Sequence, residues 1–229
     1  MTKNQSKMNL FGKENFSEDH LFLHESTFEA FKKLNKLSIE NGFDLQIVSG
    51  FRNYDRQLQI WNNKASGKRD LFDGYGNKLD SKALNSTETL KAIMFYSAIP
   101  GFSRHHWGTE IDVYDAKKAI KEEVQLMPSE SEKGGIFFEF HQWLDRIIRD
   151  NNSFGFFRPY ENFNGGVSQE KWHLSFYPIA SKMEKLLNID LFIREIKSSE
   201  VLLKEEILKD PEYYFNSYVI NTDKPPWDL

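Results

Sequence analysis

Residues 103–115 read SRHHWGTEIDVYD. The segment TEIDVY (109–114) has strand character, and Gly108 stands between two residues of metal-binding type, His105 and Asp112. A tight bend at Gly108 would let a loop and the strand after it face one ion. Further on, KWHLSFY (171–177) reads as a second strand, stopped by Pro178 and carrying His173. Upstream, FDLQIVSGFR (43–52) alternates. Phe43, Leu45, Ile47 and Ser49 fall on one side of a strand that ends at Gly50.

Helical patterns surround these strands. Phe28, Phe31, Leu34 and Leu37 recur at helical spacing within 17–41, and Asn41-Gly42 is a stop signal. Further helices are expected over 53–63, capped by Asn53 or Asp55, and from Thr87 to Ala98, capped by Ser86 or Thr87. Another spans 136–150 and ends at Asn151-Asn152; one or two amphipathic helices follow across 179–209. Residues 64–86, rich in Gly, Asp, Asn, Ser and Lys, read as a long surface loop, 154–166 as a Gly/Asn/aromatic loop and 223–229 as an irregular tail. Short, scattered strands among helices, with few βαβ intervals, favour an α+β fold with a small antiparallel sheet over a doubly wound one.

The chain has 229 residues, 39% of them hydrophobic, including 20 Phe, 5 Trp and 9 Tyr, which suits one domain with a substantial core. A net charge of -4 argues against a general grip on nucleic acid or on an anionic membrane. There is no Cys, which excludes disulfide scaffolds, thiolate zinc sites, Cys nucleophiles and iron–sulfur clusters. Any metal must be held by His and carboxylate. No signal-peptide pattern and no membrane-length apolar run is visible, and the expectation is a cytoplasmic protein.

His105, Asp112 and His173 together supply two imidazoles and one carboxylate, a set that holds catalytic zinc and leaves a fourth position open. On spacing alone, an ordinary turn and strand explain these residues equally well. Glu170, three residues before His173, suits a proton carrier beside a metal-polarised water; taken alone it reads better as a solvated acid. Arg52, at the end of a strand in SGFR, suits an oxyanion or carboxylate partner, with a plain surface arginine as the other reading. No HExxH helix is present. His20, His24 and His141 lie on expected helices and read as surface or packing histidines.

Taken in order, these elements resemble a known family. Ser103-x-His105-x-x-Gly108-x-x-x-Asp112 followed by Glu170-x-Trp172-His173 resembles the two signatures of the VanY-type D-alanyl-D-alanine carboxypeptidases. These belong to the LAS group (lysostaphin, D-Ala-D-Ala carboxypeptidase, sonic hedgehog). Ser49-Gly50-Phe51-Arg52 with Gln57 is similar to that family's SGYR-x4-Q element. The motif-bearing region runs from about 44 to 178 within one expected domain, 1–229, and 180–229 form a helical C-terminal extension.

The resemblance implies an α+β fold of the LAS/hedgehog kind, in which a small antiparallel sheet carries the metal and helices surround it. It implies zinc held by His105, Asp112 and His173, Glu170 as the catalytic base and Arg52 as the group that polarises the scissile carbonyl. Ser103, Gln57 and Trp172 would bind or shape the substrate, a peptidoglycan stem peptide or muropeptide ending in D-alanine. The family cuts D,D or L,D bonds. For a cytoplasmic enzyme the L,D reaction is slightly favoured, because a D,D enzyme there would consume wall precursors. A peptidoglycan endopeptidase and a non-catalytic zinc-binding module of the same fold are the alternatives. The chain departs from the pattern at His106, a second histidine that would be a substrate contact or a proton donor, and at Glu110, where a small residue is common. Glu110 would either alter metal affinity or point away along the strand.

Overall fold

A computed structural model describes residues 9–14 and 21–228. The expected start of the first helix at 17–20, including His20, lies outside the described residues. Helix α1 runs Glu25–Glu40, with the His24 ring accepting from the Ser26 N–H at 3.2 Å as its cap. Phe31 and Leu34 are buried in the core, and Phe28 and Leu37 pack against it, as the helical spacing predicts. Strand β1 (Leu45–Ser49) leads to α2 (Tyr54–Ala65), capped by Asn53 accepting from the Arg56 N–H.

The expected long loop at 64–86 is more ordered than its composition suggests. Helix α2 continues through Ala65, and a two-stranded hairpin follows, β2 (Leu71–Phe72) and β3 (Lys78–Leu79). Asp73 stabilises its turn by accepting from the N–H groups of Tyr75 and Asn77, and Leu71 is buried. Helix α3 (Ser86–Met94) starts at Asn85, which forms a capping box with Glu88, and ends before the expected Ala98.

A 3-10 turn over Arg104–Trp107 ends at Gly108, whose φ of 68° is the left-handed bend a glycine permits. It delivers the chain into β4 (Glu110–Asp115). A short helix, α4 (Pro128–Ser131), precedes α5 (Phe138–Arg149), β5 (Phe156–Phe157), β6 (His173–Phe176) and α6 (Tyr177–Glu184). Pro178 sits in the first turn of α6, where its missing N–H costs nothing, so it marks a helix start as well as a strand end. Helices α7 (Ile189–Ser198), α8 (Lys204–Ile207) and α9 (Pro211–Tyr218) complete the chain.

The main sheet has the order β1-β4-β6-β5, antiparallel throughout. Its register places the chemistry. Ser49 pairs with Asp112, and Asp112 pairs with His173, so one row of the sheet carries all three. The row of Glu110 and Ser175 lies two residues away on the same face. Ile111, Val113 and Leu174 alternate to the other face, in a core with Leu45, Phe31, Leu34, Phe140, Trp143 and Leu144. Because both faces of β4 are covered, all six of its residues are buried. A second apolar cluster joins Trp61 of α2 and Leu90 and Ile93 of α3 to Phe192, Ile196, Ile207, Phe215 and Tyr218 of the C-terminal helices. The indole of Trp61 also donates to the Leu202 carbonyl at 2.9 Å. The C-terminal extension therefore forms the outer packing of α2 and α3. Among the described residues, no helix is long and apolar enough to cross a membrane.

Candidate metal centre

His105, Asp112 and His173 converge, with one ligand atom from each lying within 4.8 Å of the others, and all three are buried. His105 Nε2 is 3.4 Å from Asp112 Oδ2, and His173 Nδ1 is 3.2 Å from Asp112 Oδ1. In a tetrahedral site with bonds near 2.0 Å, neighbouring ligand atoms stand about 3.3 Å apart. The observed spacings match that edge.

The orientation of each ring fits the same conclusion. His105 Nδ1 faces the Gly50 carbonyl at 2.7 Å, so Nδ1 carries the proton and Nε2 keeps its lone pair. His173 is turned the other way: Nε2 donates to Glu110 Oε2 at 2.8 Å, leaving Nδ1 free. Both free nitrogens face Asp112. Its Oδ1 is buried, yet no hydrogen bond satisfies it. A cation between these three groups would supply the missing partner, and a borderline set of two imidazoles and one carboxylate suits zinc. The group can hold a zinc ion.

Without a metal, the cluster distorts its own titration. Burial opposes charge on Asp112, but His105 and His173 hold its carboxyl well below the usual range. Burial likewise opposes an imidazolium at His173, but the surrounding carboxylates of Asp112, Glu110 and Glu170 overcome this and raise its pKa well above the ordinary value.

Glu110 does not point away along the strand. It is fully buried beneath His173, on the face that the two-residue alternation assigns to it through Asp112. Its Oε1 accepts from Thr109 Oγ1 at 2.9 Å and from Ser175 Oγ at 2.8 Å, and it stands 3.5 Å from Arg104 Nε. Burial pushes this carboxyl up, and Arg104 and His173 outweigh the effect, leaving it at about 2. Arg104, also buried, donates to Glu184 Oε2 of α6 at 2.9 Å and to Ser175 Oγ at 2.8 Å. An ionic chain thus runs from α6 to the ring of a metal ligand. Sequence reading missed Arg104 and Glu184 because they are far apart in the chain.

Glu170 lies beside the metal-facing nitrogen, its Oε2 3.4 Å from His173 Nδ1. Its backbone N–H donates to the Tyr160 carbonyl at 2.9 Å, which fixes the segment. Arg52 sits under the same face. Its guanidinium donates to Gln57 Oε1 at 2.9 Å and to Ser49 Oγ at 3.1 Å, and its backbone N–H donates to the His105 carbonyl. Gln57 is fully buried and its amide donates to the Ala98 carbonyl at 2.6 Å. Both ends of Gln57 are thereby spent on the frame around Arg52.

His106, the extra histidine, is fully buried with both ring nitrogens engaged. Nδ1 meets the Arg52 carbonyl at 2.5 Å and Nε2 accepts from the Gly101 N–H at 3.1 Å. Burial lowers its pKa to about 3, so it is a neutral brace between the SGFR and SRHH segments, and it does not line the cavity over the cluster. His24 is a helix cap, and His141 is buried against Arg158.

A cavity of about 360 Å³ opens over the cluster. Arg52, Ser103, Glu170 and Trp172 line it together with the three metal-capable residues; Gln57 does not. Lys64, Arg69, Ser97, Met127 and Tyr160 also line it, and none of these carries a motif signal. Tyr160 packs edge-on to the His173 ring at 5.2 Å, and burial raises its phenol to about 12, so it stays a hydrogen-bond donor.

Residues 20–179 match the family model described as VanY, D-alanyl-D-alanine carboxypeptidase. The chain belongs to the VanY family. An uncharacterised protein of Haemophilus influenzae is 32% identical over 125 residues, covering 53% of this chain and 93% of that one. The chain is also similar to the solved VanYB in complex with D-alanine-D-alanine, with 21% identity, 79% and 87% of the two chains covered and a TM-score of 0.48. A mutant vancomycin-resistance D,D-pentapeptidase VanY in complex with Zn(II) gives 20% identity, 79% and 99% coverage and a TM-score of 0.47. Membership of the VanY family makes the chain a zinc-dependent peptidase, and the match spans every motif residue from Ser49 to His173.

Proposed function

We propose that the chain removes terminal D-alanine from peptidoglycan stem peptides, with His105, Asp112 and His173 as zinc ligands and Glu170 as the base. The observation that carries this reading is the juxtaposition of Glu170 Oε2 with His173 Nδ1, in a cavity that Arg52 also lines. Zinc bound there would supply a Lewis acid for the carbonyl and lower the pKa of water.

The side chains then divide the proton and charge work. Glu170 takes a proton from the water whose oxygen bonds to the scissile carbonyl carbon. It returns that proton to the nitrogen as the C–N bond breaks, and the water's second proton passes to the departing amine, so an ammonium leaves and a carboxylate remains. Arg52 has donors to spare beyond those held by Gln57 and Ser49, and these stabilise the carbonyl oxygen as negative charge builds on it. Gln57 and Ser49 hold the guanidinium fork in place. Ser103 and Trp172 line the cavity and shape the substrate's seat.

The finer reading is an L,D-carboxypeptidase acting on tetrapeptides in the cytoplasm. In that compartment a D,D activity would destroy pentapeptide precursors. The test is a mass-spectrometric digest of equal amounts of pentapeptide and tetrapeptide muropeptides by zinc-loaded protein, with Glu170→Gln as control. Loss of one alanine from the tetrapeptide alone supports the L,D reading, and loss from the pentapeptide that stops at tetrapeptide makes it a D,D enzyme. Cleavage of cross-linked dimers with both monomers untouched would replace the proposal with an endopeptidase.

A further inference from the structure

The wall of the cavity formed by α2 and the hairpin carries positive charge that, among the described residues, forms no ion pair with a carboxylate. Lys64, from the last turn of α2, lines the cavity with its ammonium 2.7 Å from Ser97 Oγ. Among the described residues, neither Lys64 nor Arg69 has a carboxylate within ion-pair distance. Asp70, next in sequence to Arg69, is paired instead with Lys78 at 2.8 Å. Lys64 is half-buried and Arg69 stands at the exposed rim. Burial lowers the Lys64 pKa to about 8; Arg69 and, more weakly, Arg52 act in the same direction and Glu170 across the cavity opposes them, so it remains mainly cationic at neutral pH. The acids that line the cavity are Asp112 and Glu170. The first belongs to the metal-capable cluster, and the second is the proposed base.

A partly desolvated ammonium with no carboxylate in direct contact is unfavourable until a ligand brings one. Gln57 is an unsuitable anchor for that ligand, because both ends of its amide are satisfied inside the protein. We infer that Lys64, oriented by Ser97 and assisted at the rim by Arg69, is the subsite for the C-terminal carboxylate of the substrate peptide. The inference rests on the peptidase reading above and deepens it. A fixed ammonium that captures a free carboxylate makes the site an exopeptidase site, selecting chain ends over internal bonds.

The anchor is testable by binding alone. Zinc-loaded Glu170→Gln protein is titrated calorimetrically with Nα-acetyl-L-lysyl-D-alanine and N-acetyl-D-alanyl-D-alanine, which carry the L,D and the D,D bond, and with each dipeptide as its C-terminal amide. The acid is expected to bind about 30-fold more tightly than the amide, the worth of one charge-assisted hydrogen bond in a partly desolvated site. Adding Lys64→Met should bring the acid to the level of the amide and leave the amide within about twofold. Arg69→Gln should erase part of the difference. Thermal melts accompany each variant, and if Lys64→Met fails to fold, Lys64→Gln, which can still hydrogen-bond to Ser97, carries the same comparison. An acid-to-amide ratio that survives loss of Lys64, or that is absent from the parent protein, overturns the inference. Selective binding of the acid by a wild-type protein that hydrolyses neither peptide would sink the peptidase reading and leave the anchor standing.

Discussion

Replacing Glu110 by Gln changes one atom and should disable the metal site without touching a ligand. Glu110 stands between two buried groups that have no lone pair to offer it: Arg104, in ion-pair contact at 3.5 Å, and the Nε2–H of His173, which donates to it when Nδ1 is left free. A carboxylate serves both, one oxygen for each. An amide has one oxygen. Arg104 never accepts, so the Gln carbonyl stays on the side of Arg104, Ser175 and Thr109, and the NH2 group turns toward His173. The ring must then accept at Nε2, which moves its proton to Nδ1, the nitrogen 3.2 Å from Asp112 that faces the metal position. The alternative, with the amide flipped, sets its NH2 against Arg104 in a fully buried site. Either arrangement is unfavourable.

Loss of the partner that orients a ligating histidine typically lowers metal affinity about 10- to 100-fold. The broken ion pair costs metal-free stability as well. Removing one member of a buried pair costs about 3–5 kcal/mol, and the surviving contact of Arg104 with Glu184 keeps the loss at the lower end, about 3 kcal/mol. Two assays separate these effects. Competition against a chromophoric chelator reads zinc affinity, and urea melts of the chelator-treated protein read stability. A Glu110→Gln protein that is folded and binds zinc within about twofold of wild type would refute the tautomer reasoning.

Other outcomes follow from the same geometry. Glu170→Gln should bind zinc normally in the chelator assay and lose about 100- to 10,000-fold in kcat, since proton transfer is its task; retained turnover would exclude it as the base. Arg52→Lys replaces a fork held by Gln57 and Ser49 with a point charge. It should lower kcat about 100-fold or more in steady-state assays, with the melting temperature little changed. His141 is buried against Arg158, and burial, then Arg158 and Lys171, hold its pKa well below the ordinary value. A histidine depressed in this way leaves stability intact above its unfolded pKa and withdraws it as pH falls below about 6.5. Between pH 7.5 and 5.5 it should cost about 1.4 kcal/mol in urea melts. His141→Gln should remove that slope, and an unchanged slope would exonerate the residue.

Much of this site was legible in the sequence, because its positioning is local. The alternation in FDLQIVS, the glycine bend before EIDVY and the strand around His173 specify three antiparallel strands whose pairing sets Ser49, Asp112 and His173 in one row. The same two-residue period already placed Glu110 on the metal face with Asp112, so its role was available to strand alternation. What makes that role tolerable was not, because Arg104 meets Glu184 across 80 residues of sequence through tertiary packing. The hairpin inside 64–86 was invisible for a different reason: strands of two residues carry no periodicity, and its order comes from the Asp73 turn and from burial of Leu71. His106 misled in the opposite direction. A histidine beside a ligand reads as chemistry, but the ring closes two backbone hydrogen bonds, and only the folded chain shows that no polar atom is left over.

The buried ions have a consequence for how the molecule is organised. Glu184 belongs to α6, and it also takes ion pairs from Lys224 near the C-terminus and from Arg104 beneath the sheet. Arg104 passes that connection to Glu110, and Glu110 passes it to the ring of His173. Each member is held by a partner of opposite charge or by a hydroxyl, which is the condition under which a buried ionic chain is tolerated. A small residue at position 110 would need none of this, and its metal ligand would take its orientation from elsewhere. By placing a carboxylate there, the chain makes the tautomer of a ligand depend on a network anchored in its C-terminal segment. The residues that follow the last motif thus support the metal centre twice over, through the apolar packing of α7–α9 on α2, which carries Lys64, and through the charge that ends on His173.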